Sequence, residues 1–160
     1  MSPKQVAQEC RLVRRIEQVI ELNHPPVGQL RRELGETQLL ALIKIHLIDF
    51  NELLDLRKPL GERQIDKIAE VLLEQFPSLS FADIHFVFNQ VMLGAYGELY
   101  ESLNISKVMS WFKVYFDERT EVFGERSRLQ ADSHKSPGIH REVLEIKELE
   151  DFYKRVRNET

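Results

Sequence analysis

The chain has 160 residues, of which 42% are hydrophobic and 30% are charged, as in a soluble globular protein with one domain. The formal net charge of -4 excludes the global positive field that would recruit nucleic acid. Cys10 is the single cysteine, so no disulfide can form within the chain, and the first residues lack the apolar core of a signal peptide. We therefore expect a cytoplasmic protein that does not cross a membrane.

Segments with apolar residues every three or four positions follow one another along the chain, which is typical of amphipathic helices. In chain order, the sequence predicts helices over residues 4–22, 28–34, 36–56, 65–76, 81–92, 105–119 and 139–156. No segment alternates apolar and polar residues as strands do. We therefore predict an all-α fold, with a compact bundle of about five helices in residues 1–123. A flexible linker follows in 124–138, and a separable C-terminal helix in 139–160.

Four details of these helices can be predicted. The helix over 36–56 is apolar on nearly all sides, so we expect its neighbours to enclose it at the centre of the bundle. Ser80 is the expected N-cap of the helix over 81–92. Asp83, three residues later, is expected to complete a capping box with Ser80. Asn104 or Ser106 is expected to cap the helix that begins at 105. Trp111 lies just off the apolar stripe of that helix and is expected to be partly exposed.

The stretch "GAYGELY", residues 94–100, has two alternative interpretations. Gly94 follows the last periodic residue of its helix, where a left-handed C-cap favours glycine, and Gly97 suggests a second positive φ. These glycines predict a corner between two helices. The alternative is that the corner presents tyrosines to a protein partner, since aromatic residues are enriched at binding hot spots. The residues proposed for that contact are Tyr96, Tyr100, Trp111, Tyr115 and Arg119.

No complete motif for catalysis or cofactor binding is present in the sequence. His46, Asp49 and Glu52 follow one another at i, i+3 and i+6, but no HExxH motif or cysteine pair accompanies them. A core histidine is the favoured interpretation. No P-loop, GxGxxG or GxSxG sequence occurs. We therefore predict a protein that is not an enzyme, with no catalytic residues, no cofactor and no metal.

Arginines near the N-terminus form the candidate nucleic-acid contact. They are Arg11, Arg14, Arg15, Arg31 and Arg32. Such side chains can neutralise phosphates, although ordinary solvated surface is the slightly favoured interpretation. Residues 61–103 contain seven acidic and two basic side chains, a net charge of -5 that would repel DNA and could attract a basic protein. We expect any DNA contact to be weak or indirect.

A motif of the form GxYGxxY…W…Y…R extends from Gly94 to Arg119. With it, residues 31–120 resemble an uncharacterised family of small helical proteins from bacterial mobile elements and prophages. The matching positions are Gln64, Ile65, Ala69, Phe76, Leu79, Asp83, Phe88, Gly94, Tyr96, Gly97, Tyr100, Val108, Trp111, Tyr115 and Arg119. The family has no assigned activity.

The helix order and the ending "WFKVYFDER" are also, more distantly, similar to phage helicase loaders and inhibitors. This second resemblance implies a non-enzymatic adaptor that acts by protein–protein contact in DNA replication or maintenance. Its partner would be a replicative helicase or another replication protein. The alternative is a direct DNA-binding regulator that uses the N-terminal arginines.

Overall fold

The computed structural model describes residues 1–97 and 102–134. In these ranges the protein is all-α, as predicted, and no strand is present. The helices are α1 (Pro3–Glu9), α2 (Ile16–Glu21), α3 (Val27–Leu34), α4 (Glu36–Leu54), α5 (Glu62–Gln75), α6 (Phe81–Met92) and α7 (Ile105–His134). Tyr100 and the predicted helix over 139–160 lie outside the described residues.

The first predicted helix, residues 4–22, is two helices in the structure. The chain leaves α1 at Cys10 and reaches an extended conformation at Arg15, with φ -136° and ψ 155°. The side-chain oxygen of Gln18 accepts hydrogen bonds from the backbone N–H groups of Arg14 and Arg15, at 2.8 and 3.1 Å. Gln18 thereby stabilises the turn before α2. This break divides one predicted helix into two, and the described residues contain seven helices in all.

Helix α4 lies at the centre of the fold and packs against α1, α3, α5 and α6. Leu39, Ile43 and Leu47 are fully buried, which confirms the predicted central position. The opposite face of α4 is in part accessible to solvent, since Ile45 is 48% exposed and Ile48 is 43% exposed. The expectation that neighbours enclose α4 on all sides is therefore wrong for this face.

Aromatic rings connect α4, α6 and α7. Phe50 stacks on Phe88 with ring centroids 4.0 Å apart, and Trp111 meets Phe50 edge to face at 6.3 Å. Phe112 meets Phe88 edge to face at 5.8 Å. Such pairs add to the hydrophobic stabilisation of a core. Trp111 is only 3% exposed, so the expectation that it is partly exposed is wrong.

The start of α3 is fixed to the connection between α5 and α6. The backbone N–H groups of Val27 and Gly28 donate to the carbonyls of Leu79 and Pro77, at 2.7 and 2.8 Å. These bonds satisfy donors that a helix N-terminus leaves free. A Cβ atom on Gly28 would lie 2.9 Å from the Pro77 carbonyl oxygen, so this approach requires glycine. The contact holds in place the chain that leads into α6.

Helix α7 begins as predicted and extends further than predicted. The side chain of Asn104 accepts a hydrogen bond from the Lys107 N–H at 2.9 Å, which confirms it as the cap. The helix continues through Gly124 to His134, so residues 124–134, expected to be linker, are helical. This segment is poor in apolar residues but rich in good helix formers, and Pro137 comes only later.

The chain divides into two units after Val122. The first unit, Met1–Val122, contains the core described above. Of the second unit, the structure describes residues 123–134, the C-terminal part of α7. The remaining linker residues, 135–138, lie outside the described residues, so the predicted division into bundle, linker and C-terminal helix stays a prediction.

Candidate functional site

Asp83 is the centre of a buried polar cluster at the start of α6. Its carboxylate is 1% exposed, and its Oδ2 accepts hydrogen bonds from the backbone N–H and the hydroxyl of Ser80, both at 2.7 Å. Its Oδ1 accepts from the Tyr115 hydroxyl at 2.5 Å and from Arg119 Nε at 2.7 Å. Four donors, one of them the guanidinium of Arg119, compensate the burial of the charge. We call these four residues the Asp83 cluster.

The predicted capping box is confirmed within this cluster, since Ser80 Oγ also accepts a hydrogen bond from the Asp83 N–H at 3.3 Å. The contacts from Tyr115 and Arg119 were not predicted. A signal for them was present, because Arg119 continues the apolar stripe of its helix. An arginine on a buried stripe requires an anion nearby.

The cluster leaves its titratable neighbours unreactive at neutral pH. Burial raises the pKa of the Tyr115 hydroxyl, and the charge of Asp83 raises it further. Burial, Glu9 and Asp83 together raise the pKa of the Cys10 thiol to about 11. A thiol needs a lowered pKa to act as a nucleophile at neutral pH. The hydrogen bonds of the Asp83 cluster connect the start of α6 to α7.

The burial of two residues changes the predicted partner-binding set. Tyr115 is 0% exposed and Trp111 is packed against Phe50, so neither can meet a partner on the surface of this fold. The correction has a physical reason: their rings fill the space between α6, α7 and α4. Arg119 is 20% exposed at its side chain, and its Nε is held by Asp83. Tyr96, another of the predicted partner-binding residues, is half-buried and does not belong to the Asp83 cluster.

The two glycines of the corner after α6 have the positive φ angles that were predicted for them. Gly94 and Gly97 have φ angles of 80° and 90°, which other residues adopt only with strain. The Gly94 N–H donates to the Val91 carbonyl at 3.0 Å, and the Ala95 N–H donates to the Gln90 carbonyl at 2.9 Å. This pair of bonds is the Schellman motif that ends many helices. The glycines therefore need no ligand to explain them.

A cleft of about 340 Å³ opens beside this corner, and we call it the Tyr96 cleft. Its lining includes Arg14, Arg15, Glu17, Phe86, Tyr96 and Glu118. Burial raises the pKa of Tyr96 to about 12, and the nearby Glu118 carboxylate contributes to the rise. The cleft thus combines a tyrosine, two arginines and two carboxylates with apolar side chains such as Phe86. Sequence reasoning treated the arginines and the tyrosine separately, because the break before α2 that brings them together was not predicted.

The arginines of the candidate nucleic-acid contact have different surroundings. Arg14 Nη1 donates to the carbonyls of Arg11 and Val13, both at 3.0 Å, so part of its guanidinium holds the turn. Arg31 and Arg32 occupy the last turn of α3, where cations are favourable, and Arg31 pairs with Glu36. Only Arg14 and Arg15 line the Tyr96 cleft.

The histidine examined as a metal ligand is a core residue. His46 is 3% exposed and stacks on Phe81 at 4.6 Å, whereas Asp49 and Glu52 are exposed. Burial lowers the pKa of His46 to about 4, and a hydrogen bond with the Met1 backbone partly offsets this effect. In residues 1–97 and 102–134, no group of three His, Cys, Asp or Glu side chains could hold a metal ion.

Comparison with known proteins gives no match: no family model fits the chain, and no curated protein or solved structure is significantly similar to it. Within the part of the chain that the structure describes, no helix combines the length and the apolar composition needed to cross a lipid bilayer.

Proposed function

We propose that the protein is a non-enzymatic adaptor of a mobile element or phage that acts by protein–protein contact in DNA replication or maintenance. The sequence resemblance to phage helicase loaders supports the replication setting, which also implies action in the cytoplasm. Its partner in this proposal is a replicative helicase or another replication protein. The Tyr96 cleft carries the proposal, because it is where an accessible member of the predicted partner-binding set is located.

The chemistry of the Tyr96 cleft suits a protein partner. Tyrosine and arginine are enriched at binding hot spots, since both offer apolar area together with hydrogen-bond donors. Phe86 and Tyr96 supply apolar surface, Arg15 supplies a cation, and Glu17 and Glu118 supply anions. A polypeptide can match such a mixture because it carries charges of both signs beside apolar side chains.

The same mixture disfavours a nucleic-acid strand. Phosphates that approach Arg14 and Arg15 would also approach the carboxylates of Glu17 and Glu118. The rival function, a direct DNA-binding regulator, rests on the exposed arginines Arg11, Arg14, Arg15, Arg31 and Arg32. It requires arginines inside and outside the cleft, among them Arg15 and Arg32, to contribute to the same DNA contact.

Charge reversals at Arg15 and Arg32 can separate the two functions. We would measure binding of the full chain to a purified bacterial replicative helicase by biolayer interferometry, and to duplex and single-stranded DNA by fluorescence anisotropy. For the adaptor, Tyr96→Ala and Arg15→Glu should each weaken helicase binding about tenfold or more, as hot-spot residues do. Arg32→Glu, the matched control outside the cleft, should leave helicase binding within about twofold.

Other results would count against this assignment. Absence of binding to helicases would remove the helicase as the partner. Equal losses from Arg15→Glu and Arg32→Glu would remove the cleft as the contact. Sub-micromolar, sequence-selective DNA binding near physiological salt, lost in both arginine variants, would establish the regulator instead.

A further inference from the structure

The exposed face of α4 forms one wall of a second recess. Ile45 and Ile48 lie three residues apart on the same side of the helix, and Pro3 and Lys4 at the start of α1 also line the recess. The recess has a volume of about 310 Å³, and we call it the α4 groove. Single exposed isoleucines are common on protein surfaces, but two that line one groove mark a candidate binding site.

Acidic side chains continue the same face of α4. Asp49 and Glu52 follow Ile45 at i+4 and i+7, and both line the groove. Lys4 is the single basic residue among the lining residues, so the groove has an excess of one negative charge. Lys44, also on α4, pairs with Asp66 on α5 at 2.7 Å and is thus engaged elsewhere.

We infer that the α4 groove binds an amphipathic helix of a partner protein, with an apolar stripe flanked by lysine or arginine side chains. From Ile45 to Glu52 the lining residues of α4 extend over two helical turns, roughly 10 Å. A docked helix would place apolar side chains at i, i+3 or i+4 and i+7 against the two isoleucines. Its cations would meet Asp49 and Glu52, which gives charge complementarity and selects against acidic helices.

A second copy of the chain fits this groove less well. In a two-fold interface each copy would contribute Asp49, Glu52 and Lys4, so four carboxylates would face two ammonium groups. A basic partner helix avoids that repulsion. The groove shares no lining residue with the Tyr96 cleft, so this inference stands apart from the function proposed above.

Two synthetic peptides of about 14 residues, long enough for about four helical turns, would test the inference. Both carry the same leucine stripe, and one has lysines and the other glutamates beside it. Titrated into full-length protein with ¹³C-labelled isoleucine methyl groups, the lysine peptide should shift the signals of Ile45 and Ile48 and leave that of the buried Ile68 in place. At low salt it should bind at least about fivefold more tightly than the glutamate peptide.

Paired variants control for the role of charge. The double variant Asp49→Asn, Glu52→Gln should reduce the preference for the lysine peptide to within about twofold. The matched double variant Glu62→Gln, Glu74→Gln, which removes two exposed carboxylates from α5, should retain it. Circular dichroism melting curves close to that of the wild type would show that all of these proteins are folded.

Three outcomes would overturn the inference: no binding of either peptide, equal binding of both, or shifts that map away from Ile45 and Ile48. A concentration-dependent dimer in sedimentation experiments that Ile48→Asp abolishes would assign the groove to a second copy and overturn it as well.

Discussion

The two ends of α6 are held in different ways. At the start, the carboxylate of Asp83 is buried and accepts hydrogen bonds from Ser80, Tyr115 and Arg119. At the end, the backbone closes on itself through Gly94 and Ala95, and the chain is exposed. One end depends on charges in a low-dielectric interior, and the other depends on local backbone geometry.

The start of α6 therefore contributes to the stability of the fold, whereas the end of α6 lies beside a candidate binding surface. Removing a group from the Asp83 cluster leaves buried partners unsatisfied, which is costly because they cannot bind water instead. The corner at Gly94 is satisfied by its own backbone, so the side chains beside it are available to the Tyr96 cleft. Loops held on a rigid scaffold commonly carry binding residues.

The largest expected effect comes from removing the carboxylate at the start of α6. Asp83→Ala should lower the free energy of unfolding by about 3–5 kcal/mol, because Arg119 and the Tyr115 hydroxyl would stay buried without their anion. Urea denaturation would measure the loss. Glu118→Ala removes a neighbouring exposed carboxylate and should change stability by less than about 0.5 kcal/mol. If Asp83→Ala cost no more than this control, the cluster would not hold the helices together.

The free energy of unfolding should also depend on pH through a residue at the start of α6, because His46 stacks on Phe81, the first residue of that helix. The unfolded chain binds a proton at His46 near pH 6.5, whereas burial lowers the folded pKa to about 4. Stability is thus fully present above pH 6.5 and falls as the pH drops towards 4, by on the order of 3 kcal/mol from this residue. Burial also lowers the pKa of His85, which acts in the same direction.

The variant His46→Leu removes one of these two titrations. Urea denaturation at pH 7 and pH 5 should therefore show a smaller loss of stability in the variant than in the wild type. Equal losses in the two proteins would mean that His46 does not titrate differently in the folded and unfolded states.

The sequence predicts those structural features that depend on residues close together in the chain. The Ser80–Asp83 capping box and the glycine corner each lie within a few residues, so their spacing was informative. The contacts of Tyr115 and Arg119 with Asp83 join residues 32 and 36 positions apart. The position of Arg119 on an apolar stripe indicates a nearby anion, but no local pattern identifies that anion as Asp83. The turn between α1 and α2 contains no proline or glycine and depends on the Gln18 side chain, so it escaped prediction, and the Tyr96 cleft with it.

A smaller effect is expected at the other end of α6. Gly94→Ala should cost about 1 kcal/mol, because alanine at a φ of 80° is strained although no atom lies within 4 Å of the new Cβ. Gly97→Ala should behave alike at a φ of 90°. Gly124→Ala is the matched control, since it lies inside α7 with open space around it, and there alanine should be neutral or stabilising. Thermal melting would distinguish them, and losses no greater than the control's would contradict the positive-φ explanation of the corner.

The smallest effect on stability is expected from removing the Tyr96 hydroxyl, and removing the Tyr115 hydroxyl at the other end of α6 provides the contrast. Tyr115→Phe removes a hydrogen bond to a buried carboxylate and should cost roughly 1.5–3 kcal/mol. Tyr96→Phe keeps the ring in place and should cost less than about 1 kcal/mol, because Tyr96 is only half-buried and lines the cleft. Urea denaturation of both variants would measure the difference. Similar losses would mean that the Tyr96 hydroxyl is as deeply engaged in the fold as that of Tyr115, and the cleft would then have to be counted as structure rather than as a binding surface.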